Sequence, residues 1–282
     1  MPVENLSGHY SLVIIMTLIY AAAFAVSTPA AIKKNGKLAR VGLVLMAAAF
    51  ALNTYVIAAR WLEAGRPPFK TMYETLLFYP WCVSLVTFAL IYLHRLNVLT
   101  PFSTGVNVFG LAFALYRPDM EIISMPPALQ SGWFVPHVVT YFVAYAALFV
   151  SFALAALALG LPWWRERKGS DEAQTAREAA EFERYAHEAA VFGIVALTLG
   201  LVMGAVWGKA AWGDYWTWDP KENWALVSWL AYMIYLHLRL MGPEYRGRKA
   251  MWVLALAFGA VVFTYLGMSL LPTAGGSLHV YQ

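Results

Sequence analysis

Five tryptophans and a tyrosine are crowded into residues 207–224, which read WGKAAWGDYWTWDPKENW. Trp207, Trp212, Trp216, Trp218 and Trp224 stand among charges and small residues, between two long apolar segments. Indole and phenol rings suit a membrane–water interface, where the ring is buried and its polar edge stays wet. An ordinary belt needs only about one or two such rings per helix end. The density here, with glycine spacers, builds a flat apolar surface, and a planar aromatic ligand is its natural guest. The plainer reading is an over-decorated aromatic belt. The stretch also ends in a helix start: Asp219 is a good N-cap, Pro220 fits the first helical position, and Glu222 completes a capping box. A helix N-terminus carries partial positive charge, which favours nearby carboxylates.

The remaining residues with chemistry to offer are few. Six histidines are present, at positions 9, 94, 137, 187, 237 and 279. The single cysteine, Cys82, lies inside an apolar segment and reads as packing. With no CxxC the chain performs no dithiol chemistry, and with no CxxCH it is not itself a c-type cytochrome. Glu74 and Asp219 open predicted helices; an acid near a ligating histidine could fix its tautomer, although such residues are more often caps. Asp219 is carried forward with His137 and His279 as a catalytic candidate. Arg66 could pair with an anionic ligand, but basic loop residues usually face solvent.

The elements that must position these groups are membrane helices. The chain is 61% apolar and 13% charged over 282 residues, with mean hydropathy +0.58. That composition predicts an all-α, polytopic integral membrane protein, a single transmembrane domain over 1–282 with no large soluble part. The net charge of +4 is no sign of nucleic-acid binding, because the basic residues sit in short loops. Eight apolar segments are predicted, near 9–32, 41–59, 72–93, 99–115, 136–161, 189–206, 224–240 and 250–268. A charged stretch over 163–187 reads as a cytoplasmic linker leading into a helical extension of segment six. The first segment lacks a basic leader and reads as a retained helix. No internal repeat is evident.

Eight spans place both termini on one side. Of the 20 basic residues, 14 collect in the loops of one side and 6 on the other. The positive-inside rule puts the richer side in the cytoplasm. The tryptophan stretch, both termini and the loops around Arg66 and Gln130 then face outward.

This topology sorts the histidines. His137 opens segment five at the outer face and His279 lies in the outer tail. Two neutral imidazoles on opposite sides of an aromatic platform form a plausible axial pair for haem iron. Alternatively, His137 caps a helix and His279 belongs to a disposable tail. His237 lies thirteen residues beyond Trp224, about 20 Å deeper at 1.5 Å per residue, so it cannot share iron with His137. An ionisable residue at that depth is a functional candidate, or a side chain snorkelling beside Arg239. His94 and His187 lie near the inner ends of their spans and could approach His237, but read first as interfacial.

The run WGKAAWGDYWTWDPKENWALVSWL closely resembles the "WWD" signature of haem-handling membrane proteins in cytochrome c biogenesis. Three further stretches resemble the CcsA/ResC branch of that family: Gly65 to Phe69 followed by Met72-Tyr73-Glu74, Leu129 to His137, and the tail from Leu270 to His279. The resemblance implies that Trp207, Trp212, Trp216, Trp218 and Trp224 bind haem b, with His137 and His279 as iron ligands at the outer face. It implies that His237 ligates a second, intramembrane haem whose other ligand comes from a CcsB/ResB-like subunit. His9, His94 and His187 match no family histidine. The implied activity is a holocytochrome c synthase working only with that partner, attaching haem to the CxxCH motif of apocytochrome c. The implied location is a bacterial cytoplasmic membrane, or the thylakoid membrane of a plastid. Two alternatives stand: a haem-delivery protein serving a chaperone, and a haem- or quinone-binding respiratory subunit. The latter needs ligands paired on neighbouring helices, and no such pair is evident.

Overall fold

The computed structural model describes residues 3–117, 120–167, 169 and 171–267, with side chains from residue 9 onward. Eight α-helices occur among the described residues: α1 (Val3–Ile32), α2 (Gly36–Ala64), α3 (Met72–His94), α4 (Leu99–Leu115), α5 (Phe134–Glu166), α6 (Glu172–Trp212), α7 (Pro220–Met241) and α8 (Arg248–Tyr265). No strand occurs among the described residues. Seven helices are long and apolar enough to cross a membrane, and α4 is a shorter apolar helix of 17 residues. The expected all-α, polytopic membrane architecture is therefore what the chain adopts.

The helix ends follow local chemistry. Asn35 caps α2 through Lys37 N and Leu38 N, and Gly65 ends that helix at φ +62°. Thr71 and Glu74 form a capping box on α3. α6 is 41 residues long, about 60 Å, or twice the hydrocarbon thickness of a bilayer. Most of the charged stretch expected as a linker is thus helix, broken only between Glu166 and Glu172. Arg165 reaches across that break to Glu178 at 2.5 Å.

The chain divides into two compact units, one holding α1–α4 and the other α5–α8. The first turns polar groups inward: Tyr20 Oη lies 3.0 Å from Ser84 Oγ, and Asn107 Nδ2 donates to Ser84 Oγ at 2.9 Å. These three side chains are fully buried, while Leu18, Val44 and Phe109 are largely exposed. Polar inside and apolar outside is the order that a lipid solvent demands.

In the second unit, α5 and α6 run antiparallel and close-packed. Large side chains of α5 lie on glycines of α6. A Cβ built on Gly193 would stand 2.6 Å from Leu148 Cδ2, and one on Gly200 would stand 2.6 Å from Tyr141 Cδ2. Such small-residue faces let two backbones approach where lipid offers no hydrophobic drive between helices. α8 packs on both α5 and α7.

Candidate functional site

His137 sits in the first turn of α5 and takes the next place in the same register, against Gly204. A Cβ at 204 would fall 2.6 Å from its Cε1. Its Nδ1 lies 2.9 Å from the carbonyl oxygen of Gly200. A carbonyl only accepts, so Nδ1 carries the proton and the lone pair of the neutral ring is on Nε2. The ring stacks on Trp207 at 5.5 Å and 30°, and meets the Tyr141 ring edge-on at 4.8 Å.

The tryptophans fall into three settings. Trp207 and Trp212 belong to the last turns of α6, their rings 4.7 Å apart, and Trp207 also packs on Phe134. Gly213, at φ +92°, stops the helix. Trp216 and Trp218 stand edge-to-face in the short connection, and Trp224 packs on Phe263 in the opening turns of α7. The stretch expected as a loop is therefore two helix ends joined by a short link. Burial separates the rings: Trp207 is 3% exposed and Trp218 69%. Trp207 is thus the wall behind His137, and Trp218 is open surface. The Trp216 indole N–H and Asn223 Oδ1 are buried without a protein partner among the described residues.

The expected capping box is present. Asp219 Oδ1 accepts from Lys221 N at 2.9 Å, and Glu222 Oε2 accepts from Asp219 N at 3.1 Å and Thr217 N at 2.8 Å. The Asp219 carboxylate is engaged by the amides of α7. It clamps the tryptophan link to a rigid helix end.

His237 has a different setting. It is exposed on α7, in one stripe with Val227, Leu230, Ile234 and Met241. Its Nδ1 lies 2.7 Å from Met233 O of its own helix, so its lone pair also falls on Nε2. His187 does not join it. His187 Nδ1 lies 3.0 Å from Tyr235 Oη, and two residues along a helix turn the direction by about 200°. Tyr235 is therefore buried on nearly the opposite side from His237. Below them Arg239 pairs with Glu183, which also accepts from Gly247 N at 3.0 Å. His9 lies 3.6 Å from Glu63 and His94 closes α3. His279 and the motif from Leu270 onward lie outside the described residues.

In the first unit, Glu74 proves to be a hub. Arg60 Nε donates to its Oε1 at 3.1 Å, and Arg66 grips both carboxylate oxygens at 3.0 and 3.1 Å. Lys70 N adds a bond of 2.7 Å. The same arginines hold the backbone carbonyls of Met120 and Ile123. Burial, and then the Arg66 charge, push the Lys70 ammonium below its usual range. Arg66, expected to face solvent, is instead a structural clasp. Arg60, placed by the sequence in the loop after segment two, is instead a buried residue of α2.

Two histidines with backbone-bonded Nδ1 atoms, one beside a tryptophan wall, suit the ligation of iron in a planar macrocycle. Among the described residues, no cluster of three or more His, Cys, Asp or Glu suits a bare metal ion. The sequence matches the family described as "Cytochrome C assembly protein" over residues 69–274. It is 33% identical over 254 residues to cytochrome c biogenesis protein CcsA of Chlamydomonas reinhardtii, covering 88% of this chain and 70% of that one. It is 34% identical over 270 residues to CcsA of Parasynechococcus marenigrum strain WH8102, covering 86% and 87%. Its fold is similar to that of cytochrome c heme lyase CcmF, with TM-score 0.69 and 18% identity over 92% of this chain. The chain spans 46% of that structure's length.

Proposed function

The chain belongs to the cytochrome c assembly protein family, and on that premise we propose that it presents haem b to unfolded apocytochrome c at His137. A role in cytochrome c biogenesis follows from the membership. The observation that carries the site is the Nδ1 bond of His137 to Gly200 O, beside Trp207. That bond orients the ring and puts the donor pair on Nε2, where an iron ligand needs it. His279 is the proposed opposite ligand.

The chain's own residues position the cargo. Trp207 and Tyr141 hold the His137 ring from two sides. Trp212, Trp216, Trp218 and Trp224 supply apolar area for a porphyrin face, and the unpaired Trp216 N–H suits an acceptor such as a propionate. Asp219 positions rather than reacts: it keeps the link pinned to α7. The chemistry of the bound group is addition of each CxxCH thiol across a vinyl C=C, with sulfur bonding one carbon and the proton going to the other. The protein contributes orientation and exclusion of water.

His237 is the proposed ligand of a second haem within the membrane. Its exposure in an apolar stripe suits completion by a helix of a CcsB/ResB-like subunit. Synthase activity then belongs to the complex. The membrane is a bacterial cytoplasmic or thylakoid membrane, with the tryptophan stretch on the outer side.

The test is the absorption spectrum of the purified protein, alone and with its partner, for wild type and for His137→Ala, His279→Ala and His237→Ala. Haem lost with His137→Ala and His279→Ala supports the outer site, and loss with His237→Ala only in the complex supports the shared one. Wild type without haem in either state, or three variants that bind like wild type, overturns the assignments.

A further inference from the structure

Three large side chains of α5 lie on three glycines of α6, and they differ in kind. Leu148 on Gly193 and Tyr141 on Gly200 are packing contacts. His137 on Gly204 is the only one of the three with a nitrogen to offer. A Cβ at 204 would stand 2.6 Å from His137 Cε1 and 2.8 Å from Nδ1, so the ring lies on bare backbone. The helix geometry does not ask for these glycines: none of the three has positive φ. Glycine costs a helix interior about 1 kcal/mol relative to alanine. What it provides here is space.

We propose that Gly204 and the carbonyl of Gly200 are positioning elements for His137, the bare backbone at 204 seating the ring and the carbonyl at 200 selecting Nε2 as the ligating nitrogen. This rests on the reading of His137 as an iron ligand. Moving α6 as a whole to admit a methyl group at 204 would lift Gly193 off Leu148 and Gly200 off Tyr141 and forfeit that packing, so it is the costlier response. The mobile neighbour is the imidazole. Turning it away breaks the bond to Gly200 O and lifts the ring from Trp207. Gly204→Ala therefore misplaces one nitrogen while the helix pair stays together. Changing a group that orients a ligating histidine typically weakens metal binding by about 10–100-fold.

Gly193→Ala is the control. It brings an equal clash, against Leu148, eleven residues away or about 16 Å along α6. Two readouts are taken on full-length protein. The first needs no haem: nitrogen NMR of 15N-histidine protein, with the His137 signal assigned by its loss in His137→Ala. The second is titration with haem, followed by absorbance. Gly204→Ala is expected to lose the Nδ1-protonated signature and to weaken haem binding at least about tenfold. Gly193→Ala is expected to retain both, with a lower melting temperature. Imidazole added to His137→Gly should restore haem binding equally well with and without Gly204→Ala, since a free ring needs no seat. If Gly204→Ala keeps the wild-type tautomer and affinity while His137→Ala loses haem, the positioning role is overturned and the ligand reading survives. If Gly193→Ala weakens haem binding as much as Gly204→Ala, the glycines act only through packing and the proposal is again overturned. If His137→Ala binds haem like wild type, the ligand reading falls, and the proposal with it.

Discussion

His137 and His237 are alike in one respect and opposite in another. Each donates a hydrogen bond from its Nδ1–H to a backbone carbonyl and so carries its lone pair on Nε2. For His137 the carbonyl belongs to a neighbouring helix, and Trp207, Tyr141 and Gly204 enclose the ring. For His237 the carbonyl is four residues back on the same helix, and the ring faces outward among exposed apolar side chains. One ring is seated by the fold of this chain; the other is presented singly at a surface. Tautomer choice therefore needs only local backbone, whereas a pocket needs a second helix. The difference also separates the surroundings of the two rings: His137 rests against the wall of Trp207, and His237 has no such wall among the described residues of its own chain.

Glu74 marks the far end of this scale. Both its oxygens are occupied, by two arginines and by backbone amides, and it is fully buried. Removing its charge leaves two guanidinium groups without a counter-ion. Glu74→Gln is expected to destabilise the protein by about 3–5 kcal/mol, the usual consequence of breaking a buried pair. Thermal melting in detergent reads this directly. An unchanged melting temperature would mean that the arginines find other partners, and that a closed polar site is not what anchors residues 120–124.

His137→Ala comes next. In the haem-free protein it removes a ring packed on three sides, and a loss of about 1–2 kcal/mol is expected from the vacated space. Tyr141 and Trp207 line that space, so Trp207 fluorescence should shift along with the melting temperature. A variant as stable as wild type, with unshifted fluorescence, would place His137 outside its seat in solution, and the contrast with His237 would vanish.

The legible parts of this molecule are the ones set by residues near each other in the chain. Apolar length marks the membrane-spanning part of each of the eight helices, though not the polar first turns of α6 from Glu172, and Asp219, Pro220 and Glu222 announce the start of α7 by spacing alone. What spacing cannot carry is the choice of partner between helices. Arg60 and Glu74 are fourteen residues apart across a turn, and nothing in either segment says that they meet. Gly200 and Gly204 look like ordinary small residues of a membrane helix until His137 and Tyr141 are laid against them. Depth along a helix suggests that His187 could approach His237; helical phase decides otherwise, because Tyr235 and His237 point in nearly opposite directions.

The smallest expected effect is the sharpest test of the comparison. His237→Ala in the isolated, haem-free protein removes one bond to Met233 O and no packing partner on the exposed side. Surface substitutions of that kind change stability by no more than about 0.5 kcal/mol. The melting temperature should stay at the wild-type value within that limit. A larger loss would mean that the ring is held by this chain after all, and that the α7 stripe is an internal face. A neutral result has a definite consequence for the complex. A histidine that does nothing for the fold of its own helix, yet is required for haem in the presence of a partner, owes its place in the stripe to that partner. Measuring the same variant twice, alone by melting and in the complex by absorbance, therefore separates a structural histidine from a ligand awaiting the other half of its site.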